Sequence, residues 1–218
     1  MLATLTFRYR LVNSIARNSS GATIRGVPTE DRRARERAAR RRLIVDTARQ
    51  LAEAEGWNAV TTRRLSTEIE YSQPVLYKHF SGMEDIVASV AVQGFGELGG
   101  ALSAARGGAA DDRDALARVA HAFIGFARDN PALFDAMFVR TTTLPFAAEN
   151  TPAELNAAFA ELRAAVDLVA GTRDTDTLTE VVWASLHGLI TLDRSGRLRP
   201  DHHAERVDTL IAGLVATT

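Results

Sequence analysis

The chain has 218 residues, of which 46% are hydrophobic, so it is long enough for one large or two smaller domains with a well-packed core. It contains no cysteine, which excludes disulfides, thiolate zinc sites and cysteine nucleophiles. We find no run of about 18 apolar residues and no signal-peptide pattern, so we expect no transmembrane helix and a cytoplasmic protein without a membrane partner.

The charge is distributed unevenly along the chain. Residues 1–100 carry 15 basic and 11 acidic side chains, whereas residues 101–218 carry 11 basic and 16 acidic ones. Residues 1–31 show no sustained period, and we predict a disordered N-terminal extension there. Seven arginines follow between residues 32 and 42. Two interpretations fit this run, a solvated approach to the first helix and an arm that contacts DNA phosphates.

The first predicted helix covers about residues 36–55, and two short helices joined by a tight turn follow in residues 61–80, TTRRLSTEIEYSQPVLYKHF. We predict Thr62 as the N-cap of the first short helix and Ser72 as the N-cap of the second, with Pro74 in its first turn. Leu65 and Leu76 supply apolar anchors. Helices this short need packing neighbours, as in a helix-turn-helix DNA reader.

The remaining sequence predicts six further helices. The first of them runs from about residue 83 toward 105, and its glycines predict a kink or an early end near Gly99. The others cover about residues 111–129, 133–139, 151–170, 174–193 and 201–215. Thr151 and Asp201 are predicted caps, Asp111 is a predicted helix start, and either Asp174 or Asp176 starts the eighth helix. The chain is therefore predicted to be all-α, with about nine helices and no strand.

The region of residues 37–92 resembles the DNA-binding domain of the TetR family of transcriptional regulators. The resemblance rests on the segments TTRRL and SQPVLYKHF, which together combine a cap, a proline, an aromatic residue and a histidine at fixed spacing. Two positions depart from the family pattern. Glu70 stands in the turn where glycine is usual, and Met83 stands where lysine often touches phosphate. The resemblance implies a helix-turn-helix domain over residues 32–82 and a ligand-binding and dimerisation domain over residues 83–218.

The resemblance also implies which residues contact DNA. Gln73 is expected to reach a base edge, Tyr77 and His79 to bond phosphates, and Arg63 to reach guanine. The full predicted DNA-binding set is Arg41, Thr62, Arg63, Ser72, Gln73, Pro74, Tyr77, Lys78 and His79.

Aromatic residues and methionine concentrate in the second half, and the family resemblance implies an effector pocket there. The predicted lining residues are Phe123, Phe126, Met137, Phe138, Trp183 and His187. The same residues fit a simple core equally well, and His187 fits either a hydrogen-bonded core histidine or a polar anchor. Trp183, His187 and Gly188 resemble a Trp-His-Gly pattern of some TetR-family ligand domains. No charged residue lies in these apolar stripes, which predicts a small apolar effector.

No catalytic, metal-binding or cofactor-binding motif is present, so we predict neither an enzyme nor a bound metal or cofactor. The resemblance implies a homodimer formed by the last two helices, a palindromic double-stranded operator and a repressor that the effector releases. Two alternatives stay open. One is a DNA-binding protein without an effector, which would show no sequence preference. The other is a helical binding protein or enzyme with a vestigial helix-turn-helix, which would not bind DNA.

Overall fold

A computed structural model describes residues 29–140, 144–145 and 148–215 of the chain. Regular secondary structure in these residues is entirely helical, which confirms the predicted all-α class. Their nine α-helices are α1 (Thr29–Glu55), α2 (Thr62–Glu68), α3 (Gln73–Tyr77), α4 (Met83–Gly107), α5 (Asp112–Asp129), α6 (Pro131–Phe134), α7 (Ala153–Ala170), α8 (Thr175–Arg194) and α9 (His203–Val215). A 3-10 turn at Trp57–Ala59 follows α1, and a π-helical turn at Asp135–Val139 directly continues α6.

Helix α1 begins at Thr29, earlier than the predicted start at residue 36. Residues 29–31 are therefore helical and were wrongly assigned to the extension, while the rest of that extension lies outside the described residues. The start was missed because this segment has no apolar period, yet arginine, alanine and glutamate are all strong helix formers. The chain divides into two units after Glu36. Within the first unit, Arg32 pairs with Glu36 at 3.7 Å along the helix.

Helix α4 runs unbroken through Gly94, Gly96, Gly99 and Gly100, so the predicted early end near Gly99 is wrong. Two of these glycines mark close approaches of neighbouring elements. A Cβ atom on Gly94 would lie 2.7 Å from Sδ of Met137, and one on Gly99 would lie 3.4 Å from Cα of Ala158. Because both positions lack a side chain, the π-helical turn and α7 can pack directly against α4.

Helix α4 is also the central helix of the core, packed against α5, α7 and the π-helical turn. By length and composition alone it could cross a membrane, but 56% of its most apolar stretch is buried against the other helices. Its apolar character is therefore that of a core helix.

The caps of the later helices were predicted with mixed success. Asp111 and Asp174, predicted as helix starts, each accept the backbone N–H three residues further on, at 2.8 Å, and are the N-caps of α5 and α8. The hydroxyl of Thr151 instead accepts the N–H of Ala148, so Thr151 does not cap α7. Asp201 has a positive φ of 64° ahead of α9, a backbone conformation that an N-cap does not have.

Candidate nucleic-acid interface and ligand cleft

The first reader helix, α2, is capped by Thr61 and not by Thr62. The Thr61 hydroxyl oxygen accepts the N–H of Arg64 at 3.1 Å, and Thr61 has the extended backbone of an N-cap. Either of two adjacent threonines satisfies the sequence rule, and only the backbone geometry distinguishes them. Thr62 becomes the first residue of α2, with a half-buried side chain, and Leu65 is fully buried beneath it.

The turn between the reader helices places Glu70 in the left-handed region, with a φ of 56°. The N–H of Tyr71 donates to the Ser66 carbonyl at 3.0 Å, and the N–H of Glu70 donates to the Thr67 carbonyl at 3.3 Å. These two bonds form a Schellman motif, which favours glycine at the position of Glu70. A residue with a Cβ there costs roughly 1–2 kcal/mol. The departure noted in the sequence therefore falls on a position with a real backbone requirement.

The second reader helix, α3, has only five residues and is held by its apolar anchors. Leu76 and Phe80 are 1% and 3% exposed. Ser72 occupies the N-cap position, as predicted, but its side chain makes no capping hydrogen bond. Pro74 lies in the first turn, where its missing N–H costs little.

Four side chains of the predicted DNA-binding set project from the reader helices. They are exposed, and among the described residues none has a hydrogen-bond or carboxylate partner: Arg63, Gln73, Tyr77 and Lys78. The neighbouring Arg64 differs, because its guanidinium donates to Glu68 at 2.8 Å and to Glu55 at 3.0 Å. Exposed donors without protein partners are the groups that base and phosphate recognition requires.

Arg41, also predicted to contact DNA, is engaged with protein groups. Its Nη1 donates to the His79 carbonyl at 2.6 Å, and its Nη2 donates to the Ser89 hydroxyl at 2.7 Å. Its guanidinium lies 3.4 Å from Asp85 and 4.1 Å from the centroid of the Phe80 ring. These contacts tie α1 to the end of α3 and the start of α4. We therefore infer that Arg41 positions the reader helix.

His79 is half-buried at the end of α3 and faces a basic surface. Burial lowers the pKa of His79 below its usual value, and the charges of Arg40, Arg37, Arg41 and Lys78 lower it further. The imidazole is therefore neutral at pH 7. Anionic phosphates placed near this group would favour its protonated form and raise its pKa.

The end of α1 and the 3-10 turn after it are bonded to the start of α6, in a contact that we call the junction. The two carboxylate oxygens of Glu53 accept the N–H groups of Ala132 at 3.1 Å and Leu133 at 2.9 Å. The indole N–H of Trp57 donates to the Ala132 carbonyl at 2.7 Å. A carboxylate at a helix N-terminus is electrostatically favourable. Sequence analysis missed the junction, because nothing local to Glu53 or Trp57 indicates a partner about 75 residues away.

A cleft of about 810 Å³ opens between the π-helical turn and α8. It is lined by Met137, Phe138, Arg140, Leu144, Trp183, Ala184, His187, Gly188, Thr191 and Leu192. Four of the six predicted ligand-binding residues therefore meet there: Met137, Phe138, Trp183 and His187. Phe123 is buried behind the wall, with its ring 6.1 Å from that of Phe138. Phe126 is half-buried on α5 and is not among the lining residues.

His187 lies against the aromatic wall of the cleft. Its ring is stacked on Phe134, with 5.3 Å between centroids, and meets Phe138 edge-on at 5.6 Å. The Nδ1 atom is buried and has no hydrogen-bond partner among the described residues. Burial lowers the pKa of His187, so the imidazole is neutral at pH 7. Of the two interpretations of this residue, the hydrogen-bonded core histidine finds no partner for Nδ1.

Arg140 contradicts the expectation that no charged residue would line the ligand site. It directly follows the π-helical turn, is exposed, and lines the cleft. Its Cζ atom lies 5.5 Å from the centroid of the Trp57 ring. The sequence argument missed Arg140 because it considered only residues within the apolar helical stripes, and Arg140 lies one position beyond the last of them.

Both halves of the chain match models of the same protein family. Residues 44–90 match the bacterial regulatory proteins of the tetR family, and residues 116–217 match the tetracyclin repressor-like C-terminal domain. The chain is 31% identical over 103 residues to the uncharacterized HTH-type transcriptional regulator YobS of Bacillus subtilis, an alignment that covers 45% of this chain and 51% of that relative. The chain thus spans about half the length of this relative.

Two solved structures share the fold. A protein of unknown function from Rhodococcus sp. RHA1 has a TM-score of 0.67 and 24% identity, over 81% of this chain and 94% of that one. The transcriptional regulator FadR from Bacillus subtilis has a TM-score of 0.60 and 12% identity, over 81% of this chain and 98% of that one. Reader helices, core and family matches agree, and the chain belongs to the TetR family of helix-turn-helix transcriptional regulators, which are DNA-binding proteins and not enzymes.

Proposed function

We propose that this chain is a cytoplasmic, sequence-specific repressor that binds a palindromic operator as a homodimer and leaves it when a small molecule occupies the cleft. TetR-family regulators bind DNA as dimers and bind small-molecule effectors. The proposal assigns both activities to residues of this chain.

DNA recognition is assigned to the unpaired side chains of the reader helices. With α3 in the major groove, Gln73 reaches base edges and Arg63 reaches a neighbouring guanine. Tyr77, Lys78 and His79 contact phosphates. The pairing of Arg64 with Glu55 and Glu68 leaves it no such role. The two adjacent arginines therefore make a matched pair for a test.

Dimerisation is assigned to the outer faces of α8 and α9. Four apolar side chains of α8 and α9 are buried within the chain itself and are not available to a partner: Leu186, Ile190, Val207 and Ile211. Leu189, Leu210 and Leu214 remain half-buried at the surface, and Val181 of α8 is exposed. These four side chains form the proposed seam. A two-fold dimer presents two copies of α3, so its operator is a palindrome.

Release is assigned to the π-helical turn. The single observation that carries the proposal is that this turn both lines the cleft and continues α6. Met137 and Phe138 lie on this turn and line the cleft. The turn directly continues α6, whose first N–H groups are held by Glu53 and whose Ala132 carbonyl is held by Trp57. A ligand that displaces the wall therefore moves α6 against the end of α1, and with it the reader helices.

The nature of the ligand is supported by the cleft and by one structural neighbour. The FadR structure from Bacillus subtilis is a complex with stearoyl-CoA. That protein shows that this fold can hold a ligand with a long apolar chain. The mostly apolar lining of the present cleft supports an effector with a large apolar body.

A mobility-shift experiment on the DNA upstream of the chain's own gene tests the proposal. Wild-type protein should shift one discrete site, and a small-molecule panel should contain a compound that abolishes the shift. Arg63→Ala should weaken binding by about 1–3 kcal/mol and relax sequence preference, whereas Arg64→Ala should keep the preference.

Two results would favour the open alternatives. Equal binding to operator and unrelated DNA would indicate a DNA-binding protein without sequence preference. Absence of any DNA binding by a folded dimer would indicate that the helix-turn-helix is vestigial.

A further inference from the structure

The chemistry of the cleft wall indicates which kind of molecule the cleft can bind. This inference rests on the proposed function. Phe138 and Trp183 present large apolar surfaces, and no carboxylate is among the lining residues that the structure describes. The Thr191 hydroxyl donates its only proton to the His187 carbonyl at 2.9 Å, so it can only accept from a ligand. The side-chain donors left for a ligand are therefore the His187 imidazole and the Arg140 guanidinium.

Arg140 brings one uncompensated positive charge to this wall. Among the described residues no carboxylate pairs with it, whereas Arg194 on α8 pairs with Asp135 at 2.7 Å. Its aromatic neighbour, the Trp57 ring, is uncharged. His187 adds no full charge, because burial keeps its imidazole neutral at pH 7. The cleft thus combines an apolar wall with a single cationic group at its edge.

We propose that the effector is an amphipathic monocarboxylate, with its carboxylate on Arg140 and an alkyl or aryl body against Phe138 and Trp183. A guanidinium binds a carboxylate through two parallel hydrogen bonds, which fixes the orientation of the ligand. A ligand with several charges would leave all but one without a partner in an apolar site. The volume of about 810 Å³ suits a body of drug-like size.

The position of Arg140 also connects the carboxylate to the junction. The guanidinium lies over the Trp57 ring, and Trp57 donates to the Ala132 carbonyl of α6. A carboxylate bound to Arg140 competes with that ring for the guanidinium. The anionic end of the ligand therefore acts where the reader region meets α6, and a neutral analogue lacks this action.

Titration calorimetry with matched probes tests the assignment. Decanoate is compared with decanamide, 2-naphthoate with 2-naphthamide, and decyl phosphate supplies a different anion. The proteins are wild type, Arg140→Gln, Arg140→Lys and the control Arg113→Gln, which removes an exposed charge on α5 outside the cleft lining. Wild type and the control should bind each carboxylate at least about tenfold tighter than its amide. Arg140→Gln should abolish that preference, and Arg140→Lys should keep part of it.

Several results would overturn the inference. Wild type could bind carboxylate and amide equally, or the preference for carboxylate over amide could survive Arg140→Gln. Decyl phosphate could bind more tightly than decanoate, or no probe could bind. Operator release measured in parallel separates this inference from the proposed function. Release by amides and carboxylates alike would leave the proposed function standing and remove the carboxylate. An Arg140-dependent preference without release would support the carboxylate and contradict the proposed function.

Discussion

Gly94 offers a sharp test of how α4 packs against the cleft wall. A methyl group at this position would lie 2.7 Å from Sδ of Met137 and 2.8 Å from Cδ1 of Leu133, well inside the roughly 3.5–4.0 Å of an ordinary carbon contact. Both neighbours are buried, at 2% and 0% exposure, so neither can move aside freely. Overpacking of this kind costs about 1–3 kcal/mol, and replacing a helical glycine by alanine returns up to about 1 kcal/mol. Gly94→Ala should therefore lower the free energy of unfolding by about 1 kcal/mol, and by about 2 at most.

Gly100 supplies the matched control on the same helix. It is exposed, and an added Cβ would meet no atom within 4 Å. Gly100→Ala should raise the free energy of unfolding by about 0.5–1 kcal/mol through helix propensity alone. Urea denaturation of both variants measures the difference. If Gly94→Ala proved as stable as Gly100→Ala, the close contact of α4 with Met137 and Leu133 would be wrong.

Three further predictions concern the turn, the basic surface and the seam. Glu70→Gly should raise the free energy of unfolding by about 1 kcal/mol in thermal melts, while Glu70→Ala should bring no gain, because alanine carries the same Cβ into the left-handed region. Operator affinity should rise as pH falls from 8 toward 6, because DNA phosphates favour protonated His79, whose pKa is depressed in the free protein. His79→Gln should flatten this pH dependence of affinity, and an unchanged slope would remove His79 from the phosphate contacts. Leu189→Arg and Leu210→Arg should each give a monomer or an unfolded chain in light scattering, whereas Leu168→Arg on α7 should stay dimeric; dimers from both seam variants would place the interface elsewhere.

The reader region could be predicted closely because its signals are local. Caps, proline and apolar spacing located the starts of α2 and α3 within a residue, and the one misassigned cap, Thr62 for Thr61, arose between two residues of equal capping ability. The family resemblance indicated that Glu70 is unusual, because glycine is usual at that position, and the positive φ of Glu70 gives the physical reason.

The second half of the chain was harder to predict because its cleft is defined by contacts between helices. Gly99 suggested a helix end, whereas Ala158 of α7 packs on it. The sequence predicts the same role for Phe123 and Phe138, yet Phe123 lies behind the cleft wall and Phe138 lies in it. Arg140 carried no local signal at all, since its role follows from the fold that brings it to the cleft and to Trp57. Periodicity predicts which face of a helix is apolar, and it does not predict what that face meets.

The central claim is that the cleft and the DNA-reading surface are coupled, and thermodynamic reciprocity tests it most directly. The Kd of a cleft ligand is measured by calorimetry with the free protein and again with the protein saturated by operator DNA. Coupling predicts that operator weakens ligand binding by the same factor by which ligand weakens operator binding, typically about 5–150-fold. A ligand Kd that is unchanged by saturating operator would contradict the account.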